Sequence, residues 1–398
     1  MSLETRREVV LARAREYRMA SKKDKSKILK EICNLTGYHP KYAQVVLKRA
    51  FLEPEKFRTQ TLGKVKKRKR RGKYNELEKA ALAKLWRISG YLCGKLLAAF
   101  ITENLEHLIR QGSLMVSDET ACKLLEVSPA TIDRLLSCER VSMRRRRNTT
   151  TNPALLKNLV PLALDYERPP EPGHLQVDLV AHCGGNPSGD FVYTLTATDL
   201  YTGWTEVCAC LGKSRKAVFE ALEKTFSAFP FKIKSFQTDN GAEFLNAHLI
   251  MWSKRTGIDY IKSRPHKKEE NAYVEERNGH LVRKFVGYLR LDTPEEKDAL
   301  NQAYEALIPL HNLFIPRRIC LRKERKGSRV KRFYDKPQTP LRRAIPFLGQ
   351  EQSRNLLNIK QSLNPQNLLE SLERITNGLY RRRAMKARRH RETLSCGS

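Results

Sequence analysis

The stretch HLQVDLVAHC, residues 174–183, places an acid inside an apolar run that is typical of a β-strand. Side chains alternate along a strand, so Asp178 is expected on the face opposite Val177 and Leu179. Such an acid either lies at a strand end or edge and faces water, as most acids do, or serves a chemical purpose. Asp178 is therefore the first candidate functional residue.

The segments after this strand extend it into a sheet. Two more strand-like runs follow directly, and helix-period segments then alternate with two further strands. In order, the segments are DFVYTLTATDL (190–200), GWTEVCACL (203–211), SRKAVFEALEKTFSAF (214–229), KIKSFQTD (232–239), NAHLIMWSKRTG (246–257), IDYIKSRP (258–265) and NAYVEERNGHLVRKFVGYL (271–289). This order predicts a mixed five-stranded sheet flanked by helices, within residues 165–292.

A second acid, Asp239, ends the fourth of these strands and precedes Asn240-Gly241. One interpretation is an ordinary Asp-Asn-Gly turn. The other is a ligand-binding carboxylate, because the active sites of open α/β sheets gather at the carboxyl ends of strands.

A third acid, Glu275, lies near the start of the last helix, next to Glu276. Neighbouring residues on a helix point about 100° apart, so only one of the two can join a given site. Asn271 and Asn278 share the helix face of Glu275 and make it polar. This strip favours Glu275, although a solvated surface is the simpler explanation for a single acid.

Together the three carboxylates indicate a metal site, because Mg²⁺ and Mn²⁺ prefer oxygen ligands. Two such ions about 3.5–4 Å apart activate an attacking oxygen and stabilise the leaving one during displacement at phosphorus. We expect Asp178, Asp239 and Glu275 to be the catalytic residues and to hold two Mg²⁺ (or Mn²⁺) ions per site. No other cofactor is expected.

The charge balance indicates a nucleic-acid partner. The 398 residues include 76 Lys and Arg against 43 Asp and Glu, a net charge of +33 that a polyanion would neutralise. No apolar run approaches the roughly 18 residues of a membrane span, and the start lacks the apolar segment of a signal peptide. A soluble, intracellular protein of several domains without a membrane partner is therefore expected, and its nine scattered cysteines suggest no role.

Residues 1–63 form the first predicted α-helical unit. A helix with apolar residues at helical spacing ends at Gly37, and a second begins at Pro40. The pair is either a helix-turn-helix, with Lys41, Gln44 and Lys48 facing DNA, or a plain helical hairpin.

Residues 64–150 begin with KVKKRKRRGK, a stretch that is basic at eight of its ten positions. Its Arg70 and Arg71 fit a narrow minor groove, although a phosphate-tracking linker or a nuclear-localisation signal has the same composition. A second helix-turn-helix candidate follows, in which Ser128-Pro129 starts the second helix and Thr131 and Arg134 are expected to contact DNA. Residues 293–398 are predicted to be a basic, helical C-terminal region.

The spacing of the acidic residues resembles that of a known family. Thirty-five residues separate Asp239 from Glu275, and Pro265, Val274 and Asn278 stand at matching positions around them. This pattern, from about 174 to 291, resembles the integrase core of retroviruses and of bacterial insertion-sequence transposases, a family with an acidic triad at this spacing. The resemblance favours Glu275 over Glu276.

The resemblance implies a ribonuclease-H-like fold and a transposase. Such an enzyme binds the terminal repeats of a mobile element, cleaves DNA to free a 3′ hydroxyl and joins it to target DNA. His266, Lys267, Lys268 and Arg283 would then touch DNA. Because two ends are joined at once, we expect a homodimer or higher oligomer on double-stranded DNA, in the bacterial cytoplasm at the nucleoid. The alternatives are a non-catalytic DNA-binding regulator derived from a transposase and a ribonuclease-H-like nuclease without strand transfer.

Overall fold

The computed structural model describes residues 1–59, 73–144, 169–238, 244, 247–262, 272–327 and 329–395. The chain divides into two compact units, Met1–Lys73 and Tyr74–Ser398. Within the described ranges, no helix combines the length and the apolar character that crossing a bilayer requires.

The first unit is helical. Its helices are α1 (Leu3–Met19), α2 (Lys22–Thr36), α3 (Pro40–Leu52) and α4 (Pro54–Thr59). Ser2 and Ser21 cap α1 and α2 by accepting backbone N–H groups of the first turn. Gly37 ends α2 at φ +72°, the left-handed conformation that glycine adopts without strain. The apolar faces of these helices enclose a small core of their own.

The second unit begins with five helices, and the first four of them contribute to a shared apolar core. They are α5 (Glu76–Ile88), α6 (Gly94–Arg110), α7 (Asp118–Leu125), α8 (Pro129–Leu135) and α9 (Ser137–Arg144). Asn75 and Glu78 form a reciprocal capping box at the start of α5. Ser128 caps α8 at the start that the sequence predicts, and Ser117 caps α7.

A mixed sheet follows these helices. In the described part of the chain its strands are β1 (His174–Ala181), β2 (Val192–Asp199), β3 (Thr205–Leu211), β4 (Ser235–Thr238) and β5 (Asp259–Lys262). They lie in the order β3-β2-β1-β4-β5. The β1–β2 and β2–β3 pairs are antiparallel, and the β1–β4 and β4–β5 pairs are parallel. The predicted mixed five-stranded sheet is thus confirmed, with β1 at its centre.

Helices cover both faces of the sheet. On one side, α10 (Arg215–Ser227) packs against β2 and β3, and α11 (Ala247–Thr256) leads into β5. On the other side lie α12 (Ala272–Arg277) and α14 (Pro294–Pro309). Apolar side chains fill the first interface, whereas the sheet surface under α12 is polar. A functional site is therefore expected on the α12 side.

The predicted helix from residue 271 to 289 is interrupted. After α12 the backbone widens into a π-helix over Asn278–Arg283, continues as α13 (Lys284–Val286) and ends at Gly287, where φ is +70°. Single π turns within helices are frequent at functional sites. Asn278, at which the wider turn begins, is therefore a further candidate functional residue.

The C-terminal region is mainly helical, as predicted, but it includes a hairpin. The helices after α14 are a π turn (Leu310–Phe314), α15 (Pro340–Ala344), a 3₁₀ turn (Ile345–Phe347), α16 (Gln350–Ser362) and α17 (Pro365–Ser395). Between them, β6 (Cys320–Lys326) and β7 (Arg329–Tyr334) form a two-stranded antiparallel sheet. Helix α17 packs along α14 and thereby joins the chain end to the core.

Candidate active site

Asp178 lies in the middle of β1, opposite Thr196 of β2. Its side chain is half-buried, as expected where a central strand passes under a covering helix. The backbone N–H of Leu179 donates a 2.8 Å hydrogen bond to Asp178 Oδ1. One carboxylate oxygen is thus held by the strand itself.

The other oxygen of this carboxylate is held from the covering helix. Asn278 Nδ2 donates a 2.6 Å hydrogen bond to Asp178 Oδ2, across one hundred residues of sequence. Asn278 is itself only 9% exposed. The helix that carries Glu275 therefore docks with its polar strip onto the strand that carries Asp178.

A second contact fixes the start of the same helix. The backbone N–H of Val274 donates a 3.2 Å hydrogen bond to Gln176 Oε1. Gln176 lies two residues before Asp178 and so on the same face of β1. Residues three apart share a helix face, so Glu275 lies on the Asn278 side of the helix, between these two contacts.

The Glu275 side chain is exposed, whereas Asp178 is half-buried. The two acids predicted from the sequence are therefore brought to one face of the sheet, one on the strand and one on the helix above it. The third, Asp239, directly follows Thr238, the last residue of β4, and lies outside the described residues. Its role stays a prediction.

The surroundings of Asp178 suit a hard cation. Among the described residues, Asn278 Oδ1 and Thr196 Oγ1 are buried without a hydrogen-bond partner, and both residues adjoin Asp178. Buried oxygen acceptors are normally satisfied, so two such atoms beside a carboxylate fit an oxygen-liganded ion or its bound water. The described residues alone contain no cluster of three His, Cys, Asp or Glu side chains.

Arg283 has a structural role in this arrangement. Its guanidinium donates to the carbonyl of Ala181 at 2.9 Å and to the carbonyl of Gly287 at 3.3 Å, and it stacks on Tyr288 at 4.6 Å. Partial burial lowers the pKa of this guanidinium from its ordinary value. Arg283 thus fastens the π turn to the end of β1, and the predicted DNA contact stays a prediction.

A buried polar chain near the end of β1 was not anticipated. His182 Nε2 hydrogen-bonds Thr194 Oγ1 at 2.8 Å, and the same hydroxyl contacts Tyr304 Oη at 2.7 Å. Burial lowers the pKa of His182 to about 3, so the ring is neutral at physiological pH. The chain ties β1, β2 and α14 together, and only the polar character of the three residues marked them in the sequence.

A second unanticipated cluster surrounds Glu276 of α12. Arg317 Nη2 is 3.8 Å from Glu276 Oε1, and Arg317 Nη1 is 3.1 Å from His311 Nε2. His280 Nε2 is 4.0 Å from the same Glu276 oxygen. Burial holds the pKa of His311 well below its ordinary value. These groups line a cavity of about 260 Å³ and give Glu276 a structural partner away from Asp178.

The other predicted DNA contacts lie on the helical parts. Lys41, Gln44 and Lys48 are exposed on α3. On α8, Arg134 is exposed, whereas the half-buried Thr131 accepts hydrogen bonds from Ser128 and Arg134 at its hydroxyl. Both predicted helix pairs are present, and their binding to DNA stays a prediction.

The remaining predicted contacts lie outside the described residues. They are Arg70, Arg71, His266, Lys267 and Lys268.

Comparison with known proteins agrees with this architecture. Residues 169–268 match the family model of the integrase core domain, a match that includes Asp178 and Asp239 and ends before Glu275. The uncharacterized protein y4rM of Sinorhizobium fredii is 37% identical over 350 residues, which cover 87% of this chain and 97% of y4rM.

Two solved structures show a weaker similarity. The catalytic core domain of HTLV-2 integrase, in complex with magnesium and in a dimeric form, is 16% identical over 37% of this chain and 90% of its own, with a TM-score of 0.29. The catalytic core domain of BIV integrase is 15% identical over 29% of this chain and 68% of its own, with a TM-score of 0.24. The chain belongs to the same family as y4rM of Sinorhizobium fredii, and it contains an integrase-type core with a ribonuclease-H-like fold.

Proposed function

We propose that this protein is a transposase that cleaves DNA at the ends of a mobile element and joins the freed 3′ hydroxyl to target DNA. The observation that carries the proposal is the 2.6 Å hydrogen bond from Asn278 to Asp178. It brings the helix of Glu275 onto the acid-bearing central strand of an integrase-type core. Asp239, the residue directly after β4, supplies the third carboxylate in this proposal.

Asp178, Asp239 and Glu275 would hold two Mg²⁺ or Mn²⁺ ions. Bound there, the ions would activate the attacking oxygen and neutralise the leaving one. Carboxylate oxygens of this kind are the ligands that Mg²⁺ and Mn²⁺ prefer in proteins. Asn278 and Gln176 orient the strand and the helix, and they keep the acids in position while DNA binds.

The positive charge would hold the DNA. A net charge of +33 gives the chain a strong attraction to phosphate, and this attraction is independent of sequence. The helix pairs α2–α3 and α7–α8 are proposed to read the terminal repeats through Lys41, Gln44, Lys48, Thr131 and Arg134. Joining two ends requires two cores, so the active species would be a homodimer or higher oligomer on DNA at the nucleoid.

The decisive experiment combines the full chain, labelled terminal DNA, a plasmid target and Mg²⁺. Asp178→Asn, Asp239→Asn and Glu275→Gln should each reduce cleavage and joining below detection and leave binding to terminal DNA nearly unchanged. The matched control is Glu305→Gln, which neutralises an exposed acid on α14. Wild-type activity in any of the three triad variants would refute the assignment of that acid.

The same assay separates the alternatives. Cleaved ends without a joined product would identify a nuclease that lacks strand transfer. Specific binding without any Mg²⁺-dependent cleavage would identify a DNA-binding regulator. Glu276→Gln tests the neighbouring acid. If this variant lost cleavage while Glu275→Gln kept it, Glu276 rather than Glu275 would be the third acid of the site.

A further inference from the structure

We propose that the β6–β7 hairpin is a second DNA-binding element, a cationic ribbon that enters the major groove of duplex DNA close to the active site. The inference rests on the proposed function only for the identity of the DNA as substrate. Residues 318–334 contain eight Lys and Arg and one acid, Glu324. This is a net charge of +7 on a segment of seventeen residues.

The strand register brings like charges opposite each other at two positions of the hairpin. Lys323 pairs with Arg332, and Lys326 pairs with Arg329. Like charges directly opposite each other destabilise an antiparallel pair. Binding of a polyanion would reduce this repulsion between like charges.

The described side chains of the hairpin include exposed cations. Arg322 and Lys331 stack over Phe333 at 4.3 and 4.7 Å, and Glu324 pairs with Arg322 at 3.2 Å. Lys331 and its neighbour Arg332 are both exposed on β7. These two exposed cations are the ones proposed to meet DNA.

The dimensions fit the groove. The major groove of B-form DNA is about 12 Å wide and admits a two-stranded ribbon. At about 3.3 Å per residue, a strand of this length extends roughly 20–23 Å, which is well over half a helical turn. The major groove of A-form RNA is deep and narrow, so duplex RNA should be a poor ligand for the ribbon.

The base of the ribbon is rigid. Arg343, whose side chain is 4% exposed, pairs with Asp335 at 2.9 Å and donates to the carbonyls of Arg317 and Gln338. Asp335 in turn accepts the backbone N–H of Ile319 at 2.6 Å. The two chain segments that enter and leave the hairpin are therefore joined below it.

The base of the hairpin also contacts α12, the helix that carries Glu275. Arg317 lies against Glu276, the residue next to Glu275, at 3.8 Å. The ribbon and Glu275 are therefore attached to the same rigid region of the core. Duplex bound by the ribbon would be held at a fixed distance from the acids, which positions a phosphodiester for cleavage.

The test measures DNA affinity of the full chain as a function of salt. The ribbon variant is Lys331→Gln combined with Arg332→Gln, two exposed positions of β7. The control removes the same charge elsewhere, through Arg354→Gln on α16 and Arg374→Gln on α17, both exposed. Fluorescence anisotropy with a labelled duplex, repeated with duplex RNA, gives the affinities, and circular dichroism checks the fold.

The ribbon variant should bind duplex DNA about tenfold or more weakly. The slope of log affinity against log salt concentration should be smaller in magnitude by about 1–2, as the loss of two phosphate contacts predicts. The control pair should change the slope by less, and the ribbon substitutions should change RNA binding little. Equal losses in the two variants, or no loss in the ribbon variant, would overturn the proposal.

Failure of the proposed function gives a different result. If the chain lacked Mg²⁺-dependent cleavage altogether, the difference in DNA affinity between ribbon and control variants would persist. Conversely, if the chain cleaves and joins DNA but the ribbon and control variants bind DNA equally well, only the proposal about the ribbon is refuted. Asp178→Asn, measured in parallel, should retain the wild-type salt slope.

Discussion

Asn278 Nδ2 and Asp178 Oδ2 are 2.6 Å apart, and this hydrogen bond joins the π turn after α12 to the central strand of the sheet. The donor is an amide rather than a cation, so the bond orients the carboxylate without adding a positive charge. Under the proposed function, Asn278 is therefore a positioning residue.

Asn278→Ala should lower cleavage and Mg²⁺ affinity about 10–100-fold, the usual cost of losing a hydrogen bond to a ligating group. Mg²⁺ titration of the cleavage rate measures the change, and a thermal melt in parallel should shift little by comparison. Asn278→Gln keeps the amide but displaces it, so it should recover part of the activity at high Mg²⁺. An unchanged Mg²⁺ dependence in Asn278→Ala would contradict this role.

Glu206 on β3 predicts a pH dependence of stability. The residue is 9% exposed, and its carboxylate accepts a 2.7 Å hydrogen bond from Trp204 Nε1. Burial raises the pKa of this carboxyl from 4.5 to about 8. Between those pH values the folded state holds a proton that the unfolded state has lost. The free energy of unfolding therefore falls as pH rises through this window.

Glu206→Gln replaces the carboxyl with a neutral amide that still accepts from Trp204. The variant should melt at a higher temperature than wild type at pH 8 and at nearly the same temperature at pH 5. Scanning calorimetry at both pH values measures this, with the exposed Glu305→Gln as control. An equal difference at the two pH values would show that Glu206 does not titrate in this range.

Gly287, which ends α13, is subject to two structural constraints. Its φ of +70° and ψ of −147° suit glycine, and an added Cβ would collide with Tyr380 Oη. Gly287→Ala should therefore cost about 1–3 kcal/mol for the backbone and about 1–3 kcal/mol more for the collision. Denaturant unfolding measures the sum.

A second substitution separates these two costs. Tyr380→Phe removes the colliding oxygen, so the double variant should regain the collision part and keep the backbone part. The control is Gly279→Ala, where an added Cβ has no heavy atom within 4 Å and the stability should change little. No recovery in the double variant would leave backbone strain as the whole effect.

Arg343 predicts a large loss of stability at the base of the hairpin. Arg343→Met would leave Asp335 and several carbonyls without their donor, and breaking such a buried pair typically costs about 3–5 kcal/mol. Arg342→Met removes the same charge at the exposed neighbouring position and should cost little. Equal melting temperatures of the two variants would contradict the structural role of Arg343.

The candidate site could be predicted from the sequence to the extent that it depends on local periodicity. Alternation along β1 places Asp178 on one face, and helical spacing places Glu275 and Asn278 on one strip. Both periods follow from backbone geometry alone. The bond between Asn278 and Asp178 required the packing of the helix on the sheet, which only the structure supplies.

Other features depend on contacts far apart in the sequence. The strands β6 and β7 carry charged residues on both faces, so the apolar alternation that marks a half-buried strand is missing. The π turn at Asn278–Arg283 is compatible with an ordinary helical pattern, and its bond from Arg283 to the Ala181 carbonyl is tertiary. The buried chain of His182, Thr194 and Tyr304 joins three separate segments.

The position of β1 between β2 and β4 has a mechanical consequence. Residues 175–181 pair with β2 along one edge, and residues 174–176 pair with β4 along the other, so Asp178 shifts only if the sheet deforms. The helix that carries Glu275 is held to that strand by the hydrogen bonds from Val274 to Gln176 and from Asn278 to Asp178. The strand is therefore the fixed reference of the site, and substitutions at Gln176 or Asn278 should alter the position of the helix rather than that of Asp178.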